Sequence, residues 1–267
     1  MLVQIFIPTY NRREHLLKAL TAIASQTYDN WIVDVIDNAS TDGSVEMLHH
    51  EYRSWVEQGK LRIHRYDELV PIIANWNRYK DHIIEEAELT KFLWSDDTLL
   101  PDFLATVVPE FLDPNIAAVG TDIRYIDAAG SVVGLRKYAG SRFAFIASSC
   151  FRNMLGCPSS TIMRSHVFNS IRFDETNRYV ADLKFLMDGV RSPRSFIHIR
   201  HVGVEVQLHE NTETYQLFAS PHMLENKKQF ALYSANEYFS KNPIARCLAV
   251  LAAVAFGATA WIRGAMR

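Results

Sequence analysis

Apolar and polar positions alternate in blocks along the first hundred residues. Four short apolar runs, which are typical of buried strands, lie at 2–7, 31–36, 61–64 and 91–94. Three stretches with apolar residues at helical spacing separate them, at about 13–26, 44–57 and 73–87. We expect Ser44 to cap the second of these helices. Strands that alternate with helices predict an α/β fold with a doubly wound, Rossmann-like, mainly parallel sheet and right-handed crossovers.

The pattern changes after Pro101 and predicts an α+β second half. We expect a helix at 102–111, a strand at 117–126, and a turn at 127–130 that leads into a hairpin strand at 131–135. No low-complexity linker and no internal repeat interrupts the sequence. A single continuous domain is therefore favoured over two independent ones.

Polar segments follow three of the predicted strands at the point where each strand ends. These segments are Thr9–Arg12, Asp37–Asn38 and Asp96–Asp97. Ligands of doubly wound sheets bind outside the carboxyl ends of the strands. We therefore expect the three segments to converge on one edge of the sheet and to form a binding site there.

Two adjacent carboxylates, Asp96 and Asp97, follow the fourth strand in the sequence KFLWSDDTLLP. Mutual repulsion and loss of hydration both oppose such a pair unless a cation is present. Mg²⁺ and Mn²⁺ accept few protein oxygens and complete their coordination with water and substrate phosphates. The alternative is that one of the two acids caps a helix beginning near 99–101.

Composition and charge exclude some classes of protein. The formal charge of −2, from 28 basic and 30 acidic residues, gives no electrostatic reason for DNA or RNA binding. Cys150, Cys157 and Cys247 contain no CxxC pair and suit a reducing compartment, so we expect a cytoplasmic protein. The first residues lack the features of a signal peptide.

The absence of GxSxG, Walker-type and dinucleotide glycine motifs disfavours hydrolase, NTPase and dehydrogenase functions.

Two further groups of residues have structural interpretations. His198 and His201 are three residues apart in a strand-like run, so their side chains lie on opposite faces and do not form a metal pair. Trp76 and Asn77 can line the wall of a nucleotide site, although an aromatic residue in a helix more often belongs to the core.

Seven segments of the sequence resemble, in the same order, those of family 2 glycosyltransferases, which are inverting enzymes with the GT-A fold. Two of these segments resemble the opening of the family and its acidic motif: IFIPTYNRREHLLKALTAIASQTYDNWIVDVIDNASTDGS and LWSDDTLLPDFL. The others are NWNRYKDHI, IRYIDAAGSVVG, GCPSSTIMR, FDETNRYVADLKFLMDG and VQLHENTET. Together they extend over roughly residues 3–215, which makes the match much more specific than a single motif.

The resemblance implies a domain organisation and an activity. It implies a GT-A domain at 1–215, with a nucleotide-binding half at about 1–100 and an acceptor half at about 101–215, and a helical C-terminal extension at 216–267. It also implies inverting transfer of a sugar from a nucleoside diphosphate sugar to a saccharide or lipid-linked acceptor, in the synthesis of cell-surface polysaccharide or glycolipid. The alternatives are a catalytically silent sugar-nucleotide-binding protein and, with less support, a nucleotidyltransferase.

The resemblance also implies roles for individual residues. The nucleotide donor is expected to contact Pro8, Thr9, Tyr10, Arg12, Asp37, Asn38 and Asp96. Asp96 and Asp97 are expected to hold Mn²⁺ or Mg²⁺ beside the diphosphate. His209 resembles a histidine that contacts metal or diphosphate in relatives, with a structural histidine as the alternative. Asp182, at a predicted helix start, is expected to be the general base; an acid stabilised by the helix dipole is the alternative.

The sequence departs from the family pattern at two positions. Asn38 stands where many relatives have an acid, which leaves open the residue that reads the base. Trp94 stands where relatives often have the first acid of the acidic motif. Which of Asp96 and Asp97 ligates the metal therefore stays open.

An uncharged segment of sixteen residues, 247–262, lies near the C-terminus. As a helix it would be about 24 Å long, which is short for a membrane span. A packing helix or a homodimer contact is one interpretation. The flanking Arg246 and Arg263, together with Trp261, also suit an interfacial helix, with peripheral membrane contact through residues 243–267 on the inner face of the cell membrane, near a lipid-linked acceptor.

Overall fold

The computed structural model describes residues 1–138, 156–176, 180–190, 195–208 and 223–265. Within these ranges the strands are β1 (Val3–Thr9), β2 (Trp31–Asn38), β3 (Leu61–Tyr66), β4 (Leu89–Phe92), β5 (Asp97–Leu99), β6 (Ala118–Ile126), β7 (Val132–Arg136), β8 (Thr161–Arg164) and β9 (Phe196–Gln207). The helices are α1 (Arg13–Ala24), α2 (Ser44–Glu51), α3 (Arg53–Glu57), α4 (Ile72–Asn77), α5 (Phe103–Val107), α6 (Ser165–Ser170), α7 (Ala181–Gly189), α8 (Met223–Glu237) and α9 (Pro243–Ala265).

In the described part of the chain, nine strands form one mixed sheet. Its order is β3-β2-β1-β4-β8-β6-β9-β5, with β7 paired to β6. The first four strands in this order are parallel, whereas β8 is antiparallel to both of its neighbours and β6 is parallel to β9. The α/β class, the parallel first half and the hairpin of β6 and β7 are thus confirmed.

Two of the predicted helices are shorter in the structure. The helix predicted at 44–57 is divided at Tyr52, and Gly43, with a φ of 79°, occupies the capping position expected for Ser44. The helix predicted at 73–87 ends at Asn77 and continues as a 3₁₀ turn to His82. The buried side chain of Gln4 explains this end, because it hydrogen-bonds the carbonyl of His82 and the amide of Ile84.

The two acids after β4 do not cap a helix, so that alternative is wrong. Asp97 begins β5, which pairs with β9, and α5 begins only at Phe103. The prediction of a helix at 102–111 is also corrected, because α5 ends at Val107 and a 3₁₀ turn covers Val108–Leu112.

Apolar side chains pack on both faces of the sheet. One cluster lies beneath α1 and α5, and the other contains aromatic rings such as those of Phe92 and Phe185. Residues of α8 and α9, including Phe230 and Ala249, belong to the second cluster. The C-terminal helices therefore share the core of the sheet, and the boundary predicted at residue 215 lies outside the described residues.

The two faces of α9 differ in side-chain size. Among residues 243–256, the buried positions are Ala245, Ala249, Ala252 and Ala253, whereas Ile244, Leu251 and Val254 are 75%, 64% and 64% exposed. These four alanines thus pack against the protein, and the three larger residues face outward. Among the described residues, no helix combines the length and the apolar character that crossing a membrane requires.

Both histidines of β9 contact carboxylates, as expected of structural residues. His198 Nε2 lies 2.8 Å from Asp122 Oδ1, and His201 Nε2 lies 3.1 Å from Asp102 Oδ1. Burial lowers the pKa of His198 below its ordinary value, which favours the neutral imidazole.

A buried carboxylate ties the first three strands together. Asp34 in β2 is fully buried and accepts hydrogen bonds from Arg62 at 2.6 Å and from Gln4 at 2.8 Å, while His64 lies at 2.7 Å. These bonds cross from β1 through β2 to β3. They fix the relative positions of strands whose ends carry candidate site residues.

We expect Asp34→Ala to destabilise the fold strongly. The substitution leaves the Arg62 guanidinium without its buried partner, and breaking such a pair costs about 3 kcal/mol or more. Urea denaturation should show this loss in the free energy of unfolding. Asp29→Ala is the matched control, because the Asp29 side chain is exposed, and it should change the free energy by less than about 0.5 kcal/mol. Equal stabilities of the two variants would contradict the role given to Asp34.

Candidate active site

The carboxyl ends of β1, β2 and β4 lie side by side at one edge of the sheet. β1 is parallel to both neighbours and places Thr9 opposite Asp37. The amide of Leu93 donates to the carbonyl of Phe6 at 2.9 Å and extends the ladder toward Ser95–Asp97, here called the acidic turn. With about 4.8 Å between strands, one strand separates Asp37 from the acidic turn. The predicted convergence on one edge is confirmed.

The first loop, Tyr10–Arg12, is held in a defined conformation by the loop after β2. Asn11 has a φ of 50°, in the left-handed region that asparagine adopts more readily than most residues. Its amide donates to Ser40 Oγ at 2.9 Å, and its Oδ1 accepts from the amide of Thr41 at 2.8 Å. The two loops therefore form one rigid rim of the site.

The predicted donor-binding residues of this first segment differ in accessibility. Tyr10 is 44% exposed and Arg12 is half-buried; within the described part of the chain, no side chain pairs with Arg12. Both can reach a ligand. Pro8 is buried within β1 opposite Ile36, so it shapes the end of the strand and presents no exposed side chain.

Asp37 and Thr9 carry buried oxygens that no described residue satisfies. Asp37 is fully buried, and its Oδ2 accepts from the amide of Ser40 at 3.0 Å. Asp37 Oδ1 and Thr9 Oγ1 have no hydrogen-bond partner among the described residues. Buried polar atoms are nearly always hydrogen-bonded, so a pair without partners at a strand end suits a ligand that supplies a donor.

Asn38 has a structural role in the loop that precedes α4. Its Nδ2 donates to the carbonyl of Val70 at 2.8 Å, and its Oδ1 accepts from the amide of Val70 and from Arg78. Arg78 also stacks over Tyr66, 3.8 Å from the ring centre. A nucleotide contact by the Asn38 side chain stays a prediction, and it would compete with these bonds.

The two carboxylates of the acidic turn differ in exposure. Asp96 is half-buried, whereas Asp97 is 4% exposed and fixed at the start of β5. Burial, followed by the neighbouring charge of Asp96, raises the pKa of Asp97 well above its ordinary value. Asp96 is therefore the more accessible ligand for a cation, and Asp97 lies behind it.

Two residues beneath the acidic turn have roles that the sequence analysis missed. Lys91 in β4 is fully buried, and its Nζ donates to the carbonyl of Ser159 at 2.7 Å. Burial lowers the pKa of Lys91 to about 7. Ser159 also hydrogen-bonds Asp97, and its Oγ accepts from the amide of Trp94 at 3.0 Å. A lysine inside an otherwise apolar strand was the available sequence signal, whereas Ser159 gave none.

Asp182 lies in the first turn of α7, as predicted, and is half-buried. Leu183, Leu186 and Met187 form the buried face of this helix, which also confirms the predicted pattern. The ring of Phe185, one turn after Asp182, stacks on Phe173, which contacts Trp94 beside the acidic turn. The charge of Asp182 is the smallest of the causes that raise the pKa of Asp97. His209 lies outside the described residues.

A cleft of about 280 Å³ opens beside the acidic turn. It lies between α1, the acidic turn and the turn that joins β6 to β7. Its lining residues include Lys18, Asp96, Thr98, Asp127 and Gln207. The cleft gives the acidic turn direct access to solvent and to a bound molecule.

The charges at this edge suit a divalent cation. The charges of Asp96 and Asp182 both raise the pKa of Asp97, and a cation would relieve the repulsion among these carboxylates. The described residues contain no group of three side chains that could enclose a metal. Mg²⁺ and Mn²⁺ often take only one or two carboxylates from the protein and further oxygens from substrate phosphates. The donor set of the acidic turn fits that mode.

Comparison with known proteins identifies the family. The family model described as glycosyl transferase family 2 matches residues 4–172. The chain belongs to this family. A short segment is also similar to the abequosyltransferase RfbV of Salmonella typhimurium, with 46% identity over 50 residues, which covers 18% of this chain and 15% of that protein.

Solved glycosyltransferase structures share the fold of this family 2 member. TarS of S. aureus (residues 1-349), in complex with UDP-GlcNAc, superposes with a TM-score of 0.68 and 19% identity over 92% of this chain and 70% of that chain. The mannosyltransferase PcManGT of Pyrobaculum calidifontis, in complex with GDP-Man and Mn²⁺, gives a TM-score of 0.63 and 18% identity over 97% and 75%. The protein is thus a family 2 glycosyltransferase with the GT-A fold.

Proposed function

We propose that the protein transfers a sugar from a nucleoside diphosphate sugar to a saccharide or lipid-linked acceptor, with inversion at the anomeric carbon. The observation that carries this proposal is the single sheet edge that holds the acidic turn and two buried oxygens without a partner among the described residues. Thr9 lies on the strand next to β4, and Asp37 lies one strand further away. Asp37 and Thr9 are thereby placed to bind the nucleobase, and the acidic turn is placed to bind the diphosphate with its cation. The product would belong to a cell-surface polysaccharide or glycolipid.

The donor is proposed to lie along the strand ends. Asp37 Oδ1 would accept a hydrogen bond from the nucleobase, and Thr9 would support that contact. Tyr10 and Arg12, which are accessible on the first loop, would contact the nucleotide and its diphosphate. The complexes of TarS with UDP-GlcNAc and of PcManGT with GDP-Man support a nucleoside diphosphate sugar as donor.

Asp96 is proposed to be the direct ligand of Mn²⁺ or Mg²⁺, because it is the more exposed carboxylate of the acidic turn. A cation at this position supplies neutralisation of the charge that develops on the leaving diphosphate. The buried Asp97, which Ser159 hydrogen-bonds, would add a second negative charge beside the cation. The Mn²⁺ in the PcManGT complex supports a divalent cation in the proposed reaction.

Asp182 is proposed to be the general base. Its carboxylate would take the proton of the acceptor hydroxyl while the hydroxyl oxygen forms a bond to the anomeric carbon. The bond from that carbon to the diphosphate oxygen breaks on the opposite face, and the nucleoside diphosphate leaves with the bonding electrons. One base is sufficient for this displacement.

A panel of nucleoside diphosphates, each with and without Mn²⁺, tests the donor assignment. A ligand that binds only the folded state raises the unfolding temperature as its concentration increases. We expect at least one diphosphate to stabilise the protein more strongly with Mn²⁺ than without it. If every diphosphate left the unfolding temperature unchanged with and without Mn²⁺, the proposed donor class would be wrong.

We also propose that the outward face of α9 contacts a membrane surface that carries the acceptor. Ile244, Leu248, Leu251 and Val254 fall on one side of this helix and are exposed. The exposed Lys241 and Arg246 lie near the same end of the helix and suit anionic lipid head groups. A homodimer through this face is the competing arrangement.

Leu251→Asp should weaken binding to vesicles that contain anionic phosphatidylglycerol by about tenfold, because the wild-type leucine would bury its side chain in the lipid interface. Flotation with such vesicles measures the bound fraction. Leu112→Asp is the matched control, since Leu112 is 77% exposed on a different surface, and should bind as wild type does. Equal binding of all three proteins, or a concentration-dependent dimer that only Leu251→Asp disrupts, would contradict the membrane assignment.

A further inference from the structure

Two stacked indoles lie next to the acidic turn. The rings of Trp76 in α4 and Trp94 after β4 are 4.5 Å apart between centroids and are inclined by 29°. Both residues are half-buried. They cover fully buried rings of the core, including those of Phe92 and Phe173. The indoles are therefore the outermost layer of an aromatic cluster and leave part of their surface open.

The chain places this open surface within the site. Trp94 follows Phe92 by two residues on the same face of the sheet, and it precedes Asp96 by two. On that face, Phe173 contacts Trp94 and stacks on Phe185 of α7 at 4.1 Å. Asp182 lies one turn before Phe185 in the same helix. The indoles thus lie between the carboxylates proposed for the diphosphate and the one proposed for the acceptor.

Hydrogen bonds hold the backbone on both sides of the two stacked indoles. The amide of Trp94 donates to Ser159 Oγ at 3.0 Å. Asn77, next to Trp76, donates to the carbonyl of Phe173 at 3.1 Å and accepts from the amide of Phe173 at 2.9 Å. A surface fixed in this way can contact a ligand with little loss of side-chain entropy.

We propose that Trp76 and Trp94 form the platform for the transferred sugar and favour a sugar in which a hydrogen or methyl group replaces a hydroxyl. This inference rests on the proposed function, because it places the sugar of the donor between the acidic turn and Asp182. The C–H face of a pyranose is apolar and packs well on indole rings. A hydroxyl directed at the same surface loses hydrogen bonds to water without gaining a partner. A deoxygenated carbon avoids this cost.

The contribution of the sugar can be measured without knowledge of the acceptor. Calorimetric titration of the full chain compares three probes that share one base: the nucleoside diphosphate, its hexose derivative and the corresponding 6-deoxyhexose derivative, all with Mn²⁺. We expect wild type to bind the 6-deoxyhexose derivative about fourfold more tightly than the hexose derivative, because the deoxy sugar has no C6 hydroxyl to dehydrate at the indole surface.

Trp94→Leu should lower the affinity for the 6-deoxyhexose derivative about tenfold and remove the preference, while affinity for the nucleoside diphosphate stays within about twofold of wild type. Trp94→Phe keeps an aromatic surface, preserves part of the preference, and provides a second readout should the leucine variant fail to fold. Trp55→Leu is the matched control, because Trp55 is half-buried in α3 and contacts Trp31 in the other apolar cluster.

The outcomes separate this inference from the proposed function. If wild type bound no nucleoside diphosphate, the donor site itself would be wrong. If the diphosphate bound but wild type showed no preference for the 6-deoxyhexose, or Trp94→Leu and Trp94→Phe both retained the full preference, the platform would be overturned while the donor site stood.

Discussion

Asp182→Asn should abolish sugar transfer and leave donor binding intact. The amide keeps the size and the hydrogen-bonding ability of the side chain but cannot accept the proton of the acceptor hydroxyl. Loss of a general base reduces turnover by about a hundredfold to ten-thousandfold. Because Asp182 is half-buried at the start of α7, the change should not disturb the helix, whose apolar residues make its contacts with the core.

Transfer can be followed as release of nucleoside diphosphate in the presence of an acceptor extract, and donor binding by calorimetry. Asp188→Asn is the matched control, because Asp188 lies near the other end of the same helix, where it accepts hydrogen bonds from Lys184 and Tyr238. We expect the control to retain transfer. Turnover by Asp182→Asn at the wild-type rate would remove this residue as the base.

Asp96→Ala should remove the metal dependence of nucleotide binding. Asp96 is the accessible carboxylate of the acidic turn, so its loss leaves the cation with the buried Asp97 alone. We expect the affinity for a nucleoside diphosphate with Mn²⁺ to fall at least about tenfold, to the level measured without metal. Asp102→Ala, six residues further along the chain and exposed, should bind as wild type does.

The pH dependence of this binding gives a second readout. Burial and the charge of Asp96 raise the pKa of Asp97, so Asp97 holds a proton at higher pH than an ordinary aspartate. A cation that binds beside Asp97 displaces this proton, and metal-dependent affinity should therefore increase as the pH rises through the raised pKa. Wild-type metal dependence in Asp96→Ala, or an affinity that is independent of pH, would contradict the proposed cation site.

The edge of the sheet was predictable because strand and helix alternate in the sequence. Three polar segments follow three apolar runs, and parallel pairing brings the ends of such runs to one edge. The resemblance to family 2 glycosyltransferases added an expected role for each residue. Neither argument depends on side-chain contacts, so both could be made before the fold was known.

Residues that act through long-range contacts were not predictable in the same way. Gln4 ends the helix predicted at 73–87 by binding backbone groups that are about eighty positions away. Ser159 reaches the acidic turn from a distant segment. Asn38 is a polar residue at the end of a strand, as a ligand-binding residue would be, yet its side chain hydrogen-bonds the backbone of Val70.

The C-terminal segment shows a different limit of sequence reasoning. Its uncharged run indicated a helix but not which side would be buried. In the structure Ala245, Ala249, Ala252 and Ala253 of α9 pack against the core, and Ile244, Leu251 and Val254 remain outside. Burial of the smaller residues depends on the close approach of α8, which no local pattern in the sequence expresses.

Crystals grown with Mn²⁺ and the nucleoside diphosphate selected by the binding panel test the central claim most directly. We expect anomalous density for Mn²⁺ within about 2.2 Å of an Asp96 carboxylate oxygen, with the diphosphate between this ion and the first loop. The base should hydrogen-bond Asp37 Oδ1. A nucleotide bound away from the ends of β1, β2 and β4, or an ion that makes no contact with the acidic turn, would contradict the account.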